Sequence, residues 1–247
     1  TYSLYPVLAS ACAVRPVYVD TRDDFSVDCD ALLAARTQIA IIANPNAPTG
    51  IALDRARLAA FVGAFPGLVI VDEAYVDFSP AGTSLVDLVR ELPNLLVLRT
   101  FSKSFSLCGL RVGYAFGSPG LIAGLVAMKD SYNLDLLAQA GARAAIQDMD
   151  WMRENARRVI ATREITARRF AERGFICLPS AANFIFVRHP ERDAAALKTA
   201  LAQNEIHVRH FTDRRIADFL RVSIGTDEQM DRFFAVLDTI AARGAAG

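Results

Sequence analysis

This chain has no surplus of charge of either sign. Its 27 basic side chains balance 27 acidic ones, so no electrostatic reason draws it to nucleic acid or to an anionic membrane surface. Cysteine is sparse: Cys12, Cys29, Cys108 and Cys177 are far apart and form no Cys-x-x-Cys pair. Reduced thiols in a cytoplasmic protein are the simple reading, and no metal site is expected. No signal peptide is evident, and no apolar run is long enough to span a bilayer. An initiator methionine is missing too. The opening Thr1-Tyr2-Ser3-Leu4-Tyr5-Pro6 carries no helix-start signal and reads like a chain entered partway through a domain. There is no internal repeat and no low-complexity linker. What is plentiful is apolar residue, 53 % of 247, enough for a sizeable core without disulfides or metals. That length allows one large domain, or a domain and a half.

Short apolar runs alternate with helical patterns. Val17-Tyr18-Val19, Ile39 to Ala43, Leu68 to Val71 and Leu95 to Leu98 are strand candidates. They are apolar throughout, which predicts strands covered on both faces. Helical spacing runs from Asp54 to Phe65 and from Ser84 to Glu91, with Gly67 and Pro93 at the returns. This rhythm predicts a mostly parallel sheet flanked by helices, an α/β unit over residues 1–147. Ligands of such sheets bind beyond the carboxyl ends of the strands. Asn44, Asp72 and Lys103 each fall just after a predicted strand, so three motifs converge on one edge.

From Asp148 the texture changes. Asp148 to Arg173 reads as one long helix with Met152, Ala156, Val159 and Phe170 on one face. Its arginines (153, 157, 158, 163, 168, 169 and 173) invite a nucleic-acid reading. Interleaved Glu154, Glu164 and Glu172, in a chain of zero net charge, favour a solvated helix face. Strands are predicted at Phe184–Val187, Ile206–Arg209 and Leu220–Ile224, with a helix near Asp193–Gln203 between the first two. Thr226 with Gln229 is a capping box that opens a last helix reaching about Arg243. Residues 148–247 are thus expected to form a smaller C-terminal α+β domain, entered by its long connecting helix.

The chemistry-bearing residues begin with Lys103, in Arg99-Thr100-Phe101-Ser102-Lys103-Ser104-Phe105. Covalent amine chemistry needs an unprotonated lysine, and desolvation or a nearby positive charge supplies one. Apolar neighbours and Arg111 fit that need, although a lysine in a serine-rich turn is also an ordinary surface residue. Asp72 ends an apolar strand and is expected to be buried, where a carboxylate wants a cationic partner. The alternative reading is an aspartate that caps the helix that follows. Tyr75 lies one turn later. Ser102 and Arg111 suit a phosphate, with Gly109 and Gly113 beside Arg111 allowing close backbone approach. Asn44-Pro45-Asn46-Ala47-Pro48-Thr49-Gly50, taken alone, is a turn. Arg209 and Arg221 on neighbouring predicted strands suit a dianionic substrate or, equally, surface ion pairs.

These pieces, in this order, look like the core of a pyridoxal-phosphate enzyme. Opening Thr1-Tyr2-Ser3-Leu4-Tyr5, the Asn-Pro-Asn-x-Pro-Thr-Gly turn, Val71-Asp72-Glu73-Ala74-Tyr75-Val76-Asp77-Phe78, the Lys103 block, Ala182-Asn183-Phe184 and Leu220-Arg221-Val222-Ser223-Ile224-Gly225-Thr226 carry a resemblance to the fold-type I aminotransferases, and within them to the histidinol-phosphate branch. The resemblance runs from Thr1 almost to the C-terminus. It implies a homodimer that binds pyridoxal 5'-phosphate and works by a ping-pong route on an amino donor and a 2-oxo acid. The first choice is L-histidinol phosphate with 2-oxoglutarate, in cytoplasmic histidine biosynthesis. Tyr2 is expected to stack on the cofactor ring, Asp72 to pair with its nitrogen, and Tyr75 to reach its phenolate oxygen. Ser102 and Arg111 are expected to hold its phosphate. Lys103 is expected to bind it covalently and then act as acid and base. For the substrate, Arg221 would grip the α-carboxylate, Arg209 the substrate's own phosphate, and Asn183 would join them. Many relatives place Asn where this chain has Ala47, so either Asn46 takes that role or Tyr75 carries it alone. Relatives also have a further N-terminal stretch, which marks this chain as an expected fragment. The rival readings are an aromatic aminotransferase, a phosphothreonine decarboxylase, and a non-catalytic relative of the fold.

Overall fold

In the computed structural model, which describes residues 1–244, the chain builds two four-stranded sheets with separate cores, linked through one long helix. Helix α1 (Leu4–Ala11) comes first and has no side-chain cap, in line with its missing start signal. Then follow α2 (Cys29–Ala34), β1 (Ile39–Ala43), α3 (Arg55–Ala64), β2 (Leu68–Asp72), β3 (Leu95–Thr100) and β4 (Gly113–Gly117). Sheet order is β1-β2-β3-β4; the first two pairings are parallel and β4 runs antiparallel to β3. Ala43 lies opposite Asp72, and Asp72 opposite Leu98, so the carboxyl ends of three strands are level.

Helices α4 (Pro119–Met128), α5 (Leu136–Gln147) and α6 (Met149–Ala171) lead to the second sheet. Its elements are β5 (Ile176–Cys177), β6 (Phe184–Arg188), α7 (Ala194–Ala202), β7 (Arg209–His210), β8 (Phe219–Ser223) and α8 (Asp227–Gly244). The order is β5-β6-β8-β7, antiparallel throughout. Aspartates 28, 54, 135, 148 and 193 cap α2, α3, α5, α6 and α7, each accepting a backbone N–H of the first turn. The capping box before α8 is formed: Thr226 N–H donates to Gln229 Oε1 at 2.9 Å and Gln229 N–H to Thr226 Oγ1 at 3.3 Å.

Three apolar clusters hold these layers. Leu58, Phe61, Val62 and Phe65 of the α3 region pack on Val69, Val71, Leu95 and Val97 of the first sheet. Phe170, Phe233 and Phe234 pack on Ile185, Val187, Leu220 and Val222 of the second. The third joins Phe78, Phe101, Phe105 and Val112 to Ala138, Met152 and Ala156, fastening the loop around Lys103 onto α5 and α6. Each large side chain so buried contributes about 1.5–3 kcal/mol.

Several expectations are corrected. Val17-Tyr18-Val19 forms no strand: it has no ladder partner, and Val17 and Tyr18 are exposed. The predicted helix Ser84–Glu91 is a 3₁₀ turn over Val86–Arg90, because the Ser84 hydroxyl and Leu85 N–H are both engaged by Glu73. Strand Ile206–Arg209 shrinks to Arg209–His210, since the Ile206 N–H bonds back to Leu201 at the end of α7. Coverage on both faces fails at β1, where Ile39 and Ile41 are exposed and the burial alternates. Finally, α6 is not solvated along all its arginines, because Arg163 is buried.

Gly50 is where the first sheet's loop meets the second unit. Its φ is +80°, a conformation glycine adopts without strain, and a Cβ there would stand 2.6 Å from Ser180 Oγ. Its carbonyl accepts the Ala181 N–H at 2.8 Å.

Candidate active site

Asp72, Tyr75, Ser102 and Lys103 follow the carboxyl ends of strands of the first sheet, while Asn183, Arg209 and Arg221 lie on or next to the second. Asp72 ends β2 and is half-buried rather than buried. Its Oδ1 accepts the Ala74 N–H at 3.0 Å, a local turn that ends before the 3₁₀ turn Val76–Phe78, so Asp72 does not cap that turn. Its Oδ2 accepts a short hydrogen bond from the Tyr5 hydroxyl, which α1 delivers. Burial first, and then the Asp72 charge, push the Tyr5 phenol far above its ordinary range, so it remains a donor. No cation pairs with Asp72 among the described residues. Tyr2, edge-on to Tyr5 at 5.7 Å, is about half exposed.

Lys103 stands on the loop after β3, with its Nζ 5.2 Å from the centroid of the Tyr75 ring. That ring meets Phe184 edge-to-face at 5.2 Å, and the Arg221 guanidinium lies over Phe184 at 5.0 Å. A continuous path of side chains therefore links lysine to arginine across the two sheets. Arg209 and Arg221 occupy paired positions on β7 and β8, hence one face of the second sheet. Asn183, half-buried, precedes β6 beside them, and its carbonyl accepts the Ile224 N–H at 2.9 Å. On the other side of the lysine, Arg111 holds a left-handed backbone (φ +55°) and donates to Ser102 Oγ at 3.3 Å and to the Cys108 carbonyl at 2.9 Å.

Asn46 is engaged elsewhere. Its buried amide donates to Thr49 Oγ1 at 3.0 Å, and the residue lines a small, mostly apolar cavity with Phe25, Ile51 and Leu53. Ala47 is the residue that packs with Tyr75, Ala182 and Phe184. Within the turn, Asn44 is fully buried; its Oδ1 accepts the Leu53 N–H at 2.8 Å while its Nδ2 has no partner.

Sequence reasoning missed the support beneath these groups. Arg99 donates to Glu73 Oε2 at 2.9 Å, to Asp77 Oδ1 at 3.1 Å and to Ser84 Oγ at 2.9 Å. Asp77 in turn accepts the hydroxyl of Ser104, next to Lys103. The lysine's loop is thereby fixed to the turn that carries Tyr75. Burial raises the Glu73 carboxyl even against these donors. Tyr5 was missed as well. The signal available was its place in the opening motif Thr1-Tyr2-Ser3-Leu4-Tyr5 that carried the family resemblance.

The charges sort themselves. Arg55, Arg99, Arg169 and Arg173 all pair with carboxylates. Lys103, Arg111, Arg209 and Arg221 have no carboxylate partner among the described residues, so the surface-ion-pair reading of Arg209 and Arg221 fails. A lysine and arginines without carboxylates, and an aspartate without a cation, suit a bound group that carries both an anionic phosphate and a protonated ring nitrogen.

A lysine on the loop after β3, with Arg209 and Arg221 paired on the second sheet, suits an enzyme that handles amino and anionic groups. The chain belongs to the class I and II aminotransferases, whose family profile matches residues 1–237. It is similar to the histidinol-phosphate aminotransferase of Acetobacter pasteurianus, 46 % identical over 97 % of this chain and 68 % of that protein. It is similar also to histidinol-phosphate aminotransferase 1 of Bradyrhizobium diazoefficiens, 48 % identical over 96 % of this chain and 68 % of the relative. Among solved structures, histidinol-phosphate aminotransferase from Sinorhizobium meliloti in complex with pyridoxal-5'-phosphate superposes with a TM-score of 0.88 at 27 % identity, covering 97 % of this chain and 68 % of that one. The family resemblance read from the motifs is thus borne out, and with it the fold class.

Proposed function

We propose that the chain carries the site of a pyridoxal-phosphate-dependent transamination between L-histidinol phosphate and 2-oxoglutarate, giving imidazole-acetol phosphate and glutamate. The observation that carries this is the arrangement of charges: among the described residues Asp72 has no cation partner, and Lys103, Arg111, Arg209 and Arg221 have no carboxylate partner. Family membership and the shared name of the relatives support the substrate choice. Bound pyridoxal phosphate supplies an electron sink for the charge that develops at the donor's α-carbon.

The chain's own residues divide the remaining work. Asp72, held by Tyr5 and Ala74, would keep the ring nitrogen protonated. Tyr2 would cover the ring, and Tyr75 would donate to the phenolate oxygen without help from Asn46, whose amide is bonded to Thr49. Ser102 and Arg111, already bonded to each other, would bind the cofactor phosphate. Lys103 Nζ would take the α-proton and return it, positioned by the Ser104–Asp77–Arg99 chain. Arg221 and Asn183 would hold the carboxylate of glutamate or 2-oxoglutarate. Histidinol phosphate has a phosphate ester where an amino acid has its carboxylate, and Arg209 beside Arg221 supplies the second positive charge it needs.

Residues 1–147 and 148–247 form the two units of this reading, α6 being the connecting helix that opens the second. No helix among the described residues is long and apolar enough to cross a membrane; a cytoplasmic enzyme fits the pathway. A homodimer is the assembly we favour, supported by the exposed apolar side chains Leu125, Val126, Met128, Tyr132, Leu136 and Leu137.

The test is spectroscopic. The purified chain is mixed with pyridoxal phosphate, its visible absorption is recorded, and histidinol phosphate is added. Borohydride treatment should fix the cofactor to the peptide containing Lys103, and Lys103→Ala should abolish both labelling and turnover. Labelling at another lysine, or transamination by Lys103→Ala, would overturn the assignment.

A further inference from the structure

Of the seven arginines between Arg153 and Arg173, Arg163 is the one that points inward, at 6 % exposure. Burial of a guanidinium is unfavourable unless its donors are used, and here they are. Nη1 donates to the Phe78 carbonyl at 3.0 Å and to the Ala182 carbonyl at 2.9 Å; Nε and Nη2 hold Glu164 Oε1 at 3.2 and 3.1 Å. The two carbonyls lie on different segments, one following β2 of the first sheet and one preceding β6 of the second. Phe78 closes the 3₁₀ turn Val76–Phe78, which Tyr75 opens. Ala182 immediately precedes Asn183, and Phe184 after it underlies Arg221. Two weaker ties run alongside, from Ser79 Oγ to the Ala181 carbonyl at 3.0 Å and from the Ala181 N–H to the Gly50 carbonyl at 2.8 Å.

We infer that Arg163 is a positioning residue that sets the spacing between the Lys103–Tyr75 group and the Asn183–Arg221 group, and so governs substrate affinity without touching substrate. The physical reason is reach. A guanidinium nitrogen bonded to two carbonyls fixes both backbones relative to one point on α6, and α6 is rigid because Met152, Ala156 and Phe170 are packed into two cores. The inference rests on the function proposed above, in that the second group is taken as the substrate clamp.

The experiment compares the full chain, loaded with pyridoxal phosphate, with Arg163→Leu, Arg163→Lys and the exposed control Arg158→Leu. Steady-state KM and kcat are measured for both substrates, together with amide hydrogen exchange. Arg163→Leu should raise KM for both substrates about tenfold while kcat changes much less, since loosened geometry is felt first in binding. Exchange should rise in residues 75–79 and 180–184 and not in β3. Arg163→Lys, which keeps charge and donors on a different geometry, should fall between, and Arg158→Leu should match the unaltered chain. Unchanged KM in a folded Arg163→Leu, or exchange raised evenly across both sheets, overturns the inference. If Arg163→Leu does not fold, Arg163→Lys decides: a raised KM supports the clamp and an unaltered one refutes it. An unaltered chain without transamination would count against the function, and the exchange pattern would then decide the clamp.

Discussion

Arg209→Ala separates the two half-reactions. Arg209 is exposed on β7, Arg221 is half-buried on β8, and their Cα positions are paired. A unit charge 4 Å from another is worth about 1 kcal/mol in water and about 4 kcal/mol at the effective dielectric of a protein surface. Exposure puts Arg209 near the lower end, about 1.4 kcal/mol per unit of substrate charge, which is about tenfold in affinity. A phosphate monoester carries about −1.5 to −2 at neutral pH, so its loss is about twice as large in free energy, approaching 100-fold. Arg209→Ala should therefore lower kcat/KM for histidinol phosphate about tenfold more than for glutamate. Arg221→Ala, which also removes the guanidinium stacked on Phe184, should impair both half-reactions severely. The assay is single-turnover spectroscopy of each half-reaction at low ionic strength, where screening does not mask the difference. Equal losses with the two donors for Arg209→Ala would refute the assignment of the phosphate to this strand.

Tyr5→Phe removes one of the two donors on Asp72. A hydrogen bond to a charged group is worth about 1.5–3 kcal/mol, so pyridoxal phosphate should dissociate about tenfold more readily or worse, read by visible titration; an unchanged Kd would show that Tyr5 is idle. Among the cysteines, exposed Cys12 and Cys108 should react with a chromogenic disulfide reagent at mildly alkaline pH, ahead of Cys29 and Cys177. Burial raises both of the latter, Cys177 to about 11, and equal reactivity of all four in the folded chain would contradict that burial. The Arg173 guanidinium, bidentate to Asp238 at 2.7 and 2.8 Å, holds that carboxyl below its ordinary range. The folded state therefore binds the Asp238 proton less tightly than the unfolded chain, and the stabilisation is present above the ordinary aspartate pKa and lost as pH falls through the lowered folded value. With Asp238 half exposed, this amounts to less than about 1 kcal/mol. Asp238→Asn should flatten the acid limb of a melting-temperature profile, and an identical limb would refute the coupling.

The legible part of the fold is the part governed by local rules. Asp54, Asp193 and the Thr226–Gln229 box open their helices as read, because a cap is satisfied within three residues. Strands β1, β2, β3 and β6 came from continuous apolar runs. What failed depends on partners distant in the chain. Val17-Tyr18-Val19 has the composition of a strand and nothing to pair with among the described residues. Antiparallel β4, Gly113–Gly117, starts and ends on glycine and is recognisable as a strand through its ladder to β3. The 3₁₀ turn at Val86–Arg90 departs from an α-helix because Glu73, eleven and twelve residues upstream, engages Ser84 and Leu85.

The same division runs through the site. Asp72, Tyr75, Lys103, Arg111 and Arg221 could be proposed from the sequence because each lies in a compact motif. Their supports could not, because the bonds span the chain: Tyr5 to Asp72 over 67 residues, Arg163 to Phe78 over 85, Ser79 to Ala181 over 102. Pattern misleads most at Arg163. On α6 it sits among exposed Arg153, Arg157, Arg158 and Arg168, and nothing in their spacing marks it. The mark lies in the neighbours, Thr162, Thr166 and Phe170, which are buried on the inward side of the helix. An arginine between such residues has to find acceptors, and the nearest ones are the carbonyls of the two segments that carry the reactive groups. Supports of this kind follow from satisfying buried donors rather than from sequence motifs, so substitutions there should alter affinity while leaving every motif intact.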